Sequence, residues 1–107
     1  MFASVGPLRG TPKVGQWLGW PPELTDGRDL RVRLPWPRVV VIEEMEEGFY
    51  LFRHAADGAD GGDTWSQTLE EAMDQADFEF GDVLGEWRDV PPDVGNAGSY
   101  ALERVGR

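Results

Sequence analysis

The stretch Arg38-Val39-Val40-Val41-Ile42-Glu43-Glu44-Met45, then Glu46-Glu47-Gly48, then Phe49-Tyr50-Leu51-Phe52-Arg53-His54-Ala55, decides the fold. Four β-branched residues in a row, Val39 to Ile42, leave no polar face. Such a strand must be covered on both sides and lie inside a sheet. Glu46-Glu47-Gly48 is short and ends in a residue that tolerates positive φ, which marks the turn of a hairpin. The aromatic-rich run from Phe49 to Ala55 is then the antiparallel return strand.

Working outward toward the carboxyl end, Asp57 to Asp63 (DGADGGD) reads as a loop by composition. Thr68-Leu69-Glu70-Glu71 is a capping box and predicts a helix from Leu69 to Phe80. Leu69, Ala72, Met73, Ala76 and Phe80 fall on one apolar stripe, and Gly81 supplies the stop. Glu70, Glu71, Asp74 and Asp77 occupy much of the opposite surface, with the two glutamates also suited to the positive end of the helix dipole. Trp65 and Phe78 stand off the stripe. As bulky aromatics they are expected to join the core, Trp65 as a lid and Phe78 against the amino-terminal arm; the alternative for either is to anchor a partner. Val83 to Val90 is expected to return to the sheet as a strand ended by Pro91-Pro92, and Ser99 to Val105 to form a last strand or a helical turn.

Toward the amino end, Pro35-Trp36-Pro37 breaks the pattern, because proline removes ladder donors. Before it, Leu30-Arg31-Val32-Arg33-Leu34 alternates apolar and basic residues, as in a strand with one wet face. Residues 1–29 are rich in Gly and Pro without a sustained period, and Trp17, Leu18 and Trp20 should hold this irregular arm against the core. These readings give one domain, residues 1–107, with an arm (1–29) and an α+β core (30–107). The core is a small antiparallel sheet of about four strands, in the order β-β-β-α-β, with one main helix packed on one face.

Composition narrows the function classes. The chain has no Cys, which removes disulfides, thiolate metal sites and thiol nucleophiles together. The opening MFASVGPLRG has no apolar h-region and no run approaches a membrane span, so a cytoplasmic location with no membrane partner is expected. Charge is uneven. Residues 1–38 hold six basic side chains against three acids, and residues 39–107 hold four Arg against seventeen acids, which gives the net −10. Such a field repels phosphates and attracts basic partners over about 8–10 Å.

Candidate chemistry is sparse. His54 is the single histidine, and a catalytic reading would pair it with Asp57 or Asp63, but no nucleophile is evident beside them. Asp57, Asp60 and Asp63 are spaced by three, which departs from the alternate-position acids of a calcium loop. There is no P-loop or Rossmann glycine pattern and only one Lys, which excludes those phosphate sites. Arg28, Arg31, Arg33 and Arg38 are too few for a nucleic-acid patch on so acidic a chain, and are expected to pair with its own acidic half. No catalytic residue, metal ligand or cofactor is therefore assigned.

Within this pattern, a hairpin followed by Gly62-Asp63-Thr64 and then Leu69-Glu70-Glu71-Ala72 opening a helix resembles the HicB-type antitoxin domain, over about residues 38–90. That resemblance implies a small sheet carrying a helix on one face. Extra residues separate Gly62-Asp63-Thr64 from Leu69, and the DNA-binding appendage of many such antitoxins has no counterpart here. Asp63-Thr64-Trp65 and Gln75 to Gly81 are similar to pieces of small bacterial proteins of the immunity type. The expectation is a non-enzymatic acidic binding protein, immunity- or antitoxin-like, that neutralises a basic partner through Asp60, Asp63, Glu70, Glu71, Asp74 and Asp77. Two alternatives stand beside it: a small hydrolase using His54 with Asp57 or Asp63, and a homodimer formed through a sheet edge near Leu30–Leu34.

Overall fold

A computed structural model describes residues 1–10, 17–18 and 32–105. Its elements are β1 (Phe2–Ser4), β2 (Trp17–Leu18), β3 (Val32–Arg33), β4 (Val39–Met45), β5 (Gly48–His54), β6 (Asp60–Ser66), α1 (Leu69–Phe80) and α2 (Ala97–Arg104), with a 3₁₀ turn at Gly81–Val83 after α1. β1-β4-β5-β6 form one antiparallel sheet, and β2 pairs with β3 in a separate ribbon.

The hairpin forms as its residues dictate. β4 and β5 pair from Val39↔His54 to Met45↔Gly48, and β4 lies between β1 and β5. Because side chains alternate along a strand, Val40 and Ile42 meet α1 with Leu51, while Val39 and Val41 meet α2 with Phe2. Val39, Val40 and Val41 are 0% exposed and Ile42 4%. Each such side chain contributes about 1.5–3 kcal/mol relative to exposure. Beyond Ile42 the same strand emerges into solvent at Glu43, Glu44 and Met45. Neither helix reaches that end.

α1 begins and ends where the sequence signals. Thr68 Oγ1 accepts from Glu71 N at 3.1 Å, and Glu71 Oε2 accepts from Gln67 N at 3.1 Å. Ala72 and Ala76, both fully buried, let the helix lie close on the sheet, and Phe80 meets Trp36 edge-on at 5.3 Å.

Several expectations are corrected. Residues 2–4 are not irregular arm but a strand of the main sheet, with Phe2, Ala3 and Ser4 opposite Val41, Val40 and Val39. Three residues are too few to show a period, so this strand is specified by its partner. The predicted strand Val83–Val90 is broken into the 3₁₀ turn and two isolated bridges, Phe2↔Arg88 on β1 and Val5↔Leu84 just beyond it, and these close the outer edge of this segment. The Asp57–Asp63 loop shrinks to a tight turn, in which Ala55 N donates to Ala59 O at 2.9 Å, and β6 starts at Asp60. Here pairing with β5 overrides the turn-like composition, and Gly61 and Gly62 share the place opposite Arg53 as a bulge. Ser99–Val105 belongs to a helix, α2, capped by Asn96 Oδ1 accepting from Ser99 N at 2.9 Å. Of Leu30–Leu34, Val32–Arg33 is a strand, but it pairs with Trp17–Leu18 and is not an edge of the main sheet. The packing expected of Trp17, Leu18 and Trp20 lies outside the described side chains.

The core also contains a pair that sequence reading missed. Arg53 (1% exposed) and Glu79 (6% exposed) form a bidentate ion pair between β5 and α1. Arg53 Nε donates to Glu79 Oε1 at 2.9 Å, Arg53 Nη2 donates to Glu79 Oε2 and, at 2.7 Å, to Thr64 Oγ1, and Gln75 Nε2 donates to Glu79 Oε2 at 2.7 Å. With these partners the desolvated charges are satisfied.

Candidate functional site: an acidic, aromatic half-face

The two faces of the sheet are covered unequally. α1 has twelve residues and spans about 18 Å, whereas α2 has eight and spans about 12 Å. Strands of seven residues run about 23 Å. α2 covers Phe2, Val39 and Val41 with Ala101 and Leu102, and its Gly98 sits on His54. Strand parity puts Glu43, Met45, Tyr50, Phe52, Asp63 and Trp65 on this same side, and these continue beyond the helix.

These residues form an aromatic strip with acids along it. Tyr50 and Phe52 stack at 5.8 Å with 22° between their planes. Trp65, opposite Tyr50, is 49% exposed and Met45 41%. Trp65 Nε1 donates to Glu47 O at 3.1 Å, and Tyr50 Oη donates to Glu47 Oε1 at 3.1 Å. The indole lies flush on Gly48, where an added Cβ would sit 2.5 Å from Trp65 Nε1 and where φ is +148°. Glycine there is a requirement of both backbone and packing. The phenol of Tyr50 is held above its ordinary pKa, chiefly because its hydrogen bond to Glu47 favours the protonated form, with Glu47 and Asp63 carboxylates adding to the effect. The carboxylates of Glu43, Glu47, Asp60 and Asp63 make the strip negative.

His54 closes the strip under α2. Burial pushes its imidazole pKa down, while the carboxylates of Asp60 and Glu43 pull weakly the other way. The register sets Asp60 opposite His54; Asp63 stands opposite Phe52, and Asp57 Oδ1 accepts from Ala59 N at 3.0 Å inside the turn. The pairs His54–Asp57 and His54–Asp63 that a hydrolase would use are thus not the ones the register aligns. Among the described residues no group of three or more His, Cys, Asp or Glu is placed to hold a metal ion.

The six predicted partner-binding acids are divided by the sheet. Asp60 and Asp63 lie on β6 beside the aromatic strip, and Glu70, Glu71, Asp74 and Asp77 lie on α1, across the sheet. All six are exposed. Glu71 is engaged in the cap, and Asp60 Oδ1 accepts from Gly62 N at 2.8 Å, steadying the bulge. One expectation about aromatics is also corrected. Trp65 lies on the side away from α1 and does not cap the main core. Phe78 is 57% exposed, and most of the arm expected beside it lies outside the described residues. A signal for the strip was present in the sequence: Tyr50, Phe52 and His54 alternate with Leu51 and Arg53, so a second side of β5 needed an account.

A cleft of about 360 Å³ among the described residues is lined by Val5, Pro7, Trp36, Pro37 and Arg38. Its polar groups are engaged: Arg38 Nη1 and Nη2 donate to Val5 O at 3.2 Å and Val105 O at 2.8 Å, and Trp36 Nε1 donates to Gly6 O at 2.8 Å. Arg38 therefore bonds backbone carbonyls and not the acidic side chains expected for it; the side chains of Arg28, Arg31 and Arg33 lie outside the described residues. Among the described residues no helix is long and apolar enough to cross a membrane. The chain matches no protein-family model, no curated protein and no solved structure.

Proposed function

We propose that the protein is a non-enzymatic binding protein that engages a basic protein partner, as an immunity or antitoxin-like protein would. One observation carries this reading: the half of the sheet that α2 does not cover joins exposed Trp65 and Met45 to half-buried Tyr50 and Phe52 and the carboxylates of Glu43, Asp60 and Asp63. Aromatic side chains dominate the binding energy of interfaces, and a negative rim speeds encounter with a cationic surface. Glu70, Asp74 and Asp77 on α1 add to the long-range field from across the sheet, and the chain's net −10 acts in the same direction.

The test is co-purification from the source host at low and high salt, followed by binding measurements on the recovered complex. The expected partner is basic, its affinity falls steeply with salt, and Trp65→Ala weakens it by about 2 kcal/mol or more. A complex insensitive both to salt and to Trp65→Ala would overturn the proposal.

A further inference from the structure

The two ends of the main sheet differ. β1 is one edge, and it is closed by residues 83–88: Gly6 N donates to Val83 O, Gly85 N to Ser4 O, and Phe2 and Arg88 exchange backbone bonds at 2.7 Å. β6 is the other edge, and among the described residues nothing pairs with its outer side. Exposed edges are commonly blunted by charged side chains, Lys above all, by Pro or by a bulge. β6 (Asp60-Gly61-Gly62-Asp63-Thr64-Trp65-Ser66) has neither Lys nor Pro. Its charges are the acids Asp60 and Asp63, which repel a like-charged edge and not a basic one, and its bulge is confined to Gly61–Gly62, so Asp63–Ser66 remain regular.

The charges on this edge select the occupant. Both ionisable side chains of β6 are acids, and they share the side of the sheet that carries Trp65, Tyr50 and Phe52. A second copy approaching edge to edge would bring two such acid pairs and two chains of net −10 together. An extended segment bearing Arg or Lys at alternate positions meets the opposite situation. Its cations would project over the aromatic strip, within reach of ring faces and of Asp60 and Asp63. Its intervening side chains would lie beside Thr64 and Ser66, on the α1 side.

We propose that β6 accepts an extended basic segment of the partner as a fifth strand, with alternate Arg or Lys side chains laid on the strip formed by Trp65, Tyr50 and Phe52. This rests on the binding role argued above and specifies how the partner is held. Backbone pairing supplies affinity and the alternate side chains supply selectivity.

The test uses a short synthetic peptide alternating arginine and threonine, titrated by fluorescence anisotropy against the full chain at low salt. Two N-methylated isomers, blocked on odd or on even residues, are titrated in parallel. In an added strand only one set of amides faces β6, so one isomer should lose about tenfold or more in affinity while the other stays within about twofold. Asp60→Asn with Asp63→Asn, which keeps an acceptor for Gly62 N, should weaken the parent peptide. Amides within Asp63–Ser66 should gain hydrogen-exchange protection on binding. Equal binding by both isomers would overturn the added strand and leave the acidic binding surface standing. Failure of every basic peptide to bind at low salt would remove both. A dimer of the free chain that already protects these amides would assign the edge to a second copy and overturn the proposal.

Discussion

His54 shows how one neighbour sets a residue's chemistry. An added Cβ on Gly98 would lie 2.7 Å from its Nε2, so α2 rests directly on the ring. Burial there lowers the folded pKa below the unfolded value of about 6.5, so on acidification the unfolded chain takes up the proton first. This contribution to stability is complete above about pH 6.5 and is lost as the pH falls from there through the folded pKa. Histidine resonances should therefore titrate below the ordinary value, and the loss of melting temperature between neutral and mildly acid pH should be smaller in His54→Gln than in the wild type. Gly98→Ala should destabilise the wild type more than it destabilises His54→Ala, where the clash is relieved. The Arg53–Glu79 pair makes a separate prediction. Glu79→Leu alone leaves a buried guanidinium uncompensated and should cost about 3–5 kcal/mol in denaturant unfolding, whereas Arg53→Met with Glu79→Leu should recover most of that loss. A double variant as unstable as the single one would mean that the pair supplies more than mutual neutralisation.

Among the elements, the strongest local signals are legible in the sequence because each is self-contained. The Val39–Ile42 run states burial on both sides, and Thr68 with Glu71 states a helix start, without reference to anything distant. Caps of this kind contribute about 1 kcal/mol, so Thr68→Ala and Asn96→Ala should each lower the melting temperature by roughly 4–8 °C. Asn96→Ala should additionally raise exchange at His54 and Phe52, which α1 does not shelter. The weak elements carry no such signal, for a common reason. β1 is three residues long, and β6 begins Asp-Gly-Gly, so neither shows a strand pattern of its own. Each is specified by the β4 or β5 edge with which it pairs. Val83–Val90, apolar enough for a strand, is instead kept to two bridges by the 3₁₀ turn and by β1's brevity.

For the whole molecule, the decisive fact is that a twelve-residue helix and an eight-residue helix cover opposite sides of one sheet. The longer one covers more of its side, and the shorter one leaves Tyr50, Phe52 and Trp65 beyond its reach among carboxylates. Lengthened ionic screening at low salt should strengthen any complex at this surface, and a plot of log affinity against log salt should slope downward; a flat plot would contradict an electrostatic interface. From residues alone came the α+β class, the central hairpin, the main helix with both its ends, and the acidity of the carboxyl-terminal two-thirds. These depend on local propensity and on alternation, which a linear chain displays. Only the tertiary structure decided which acids share a surface. Register puts Asp60 and Asp63 beside the aromatic strip and the sheet separates them from Glu70, Asp74 and Asp77. The burial of Arg53 with Glu79, twenty-six residues apart, was settled the same way. Such neighbours are set by strand pairing and helix docking across long separations, and no local pattern records them.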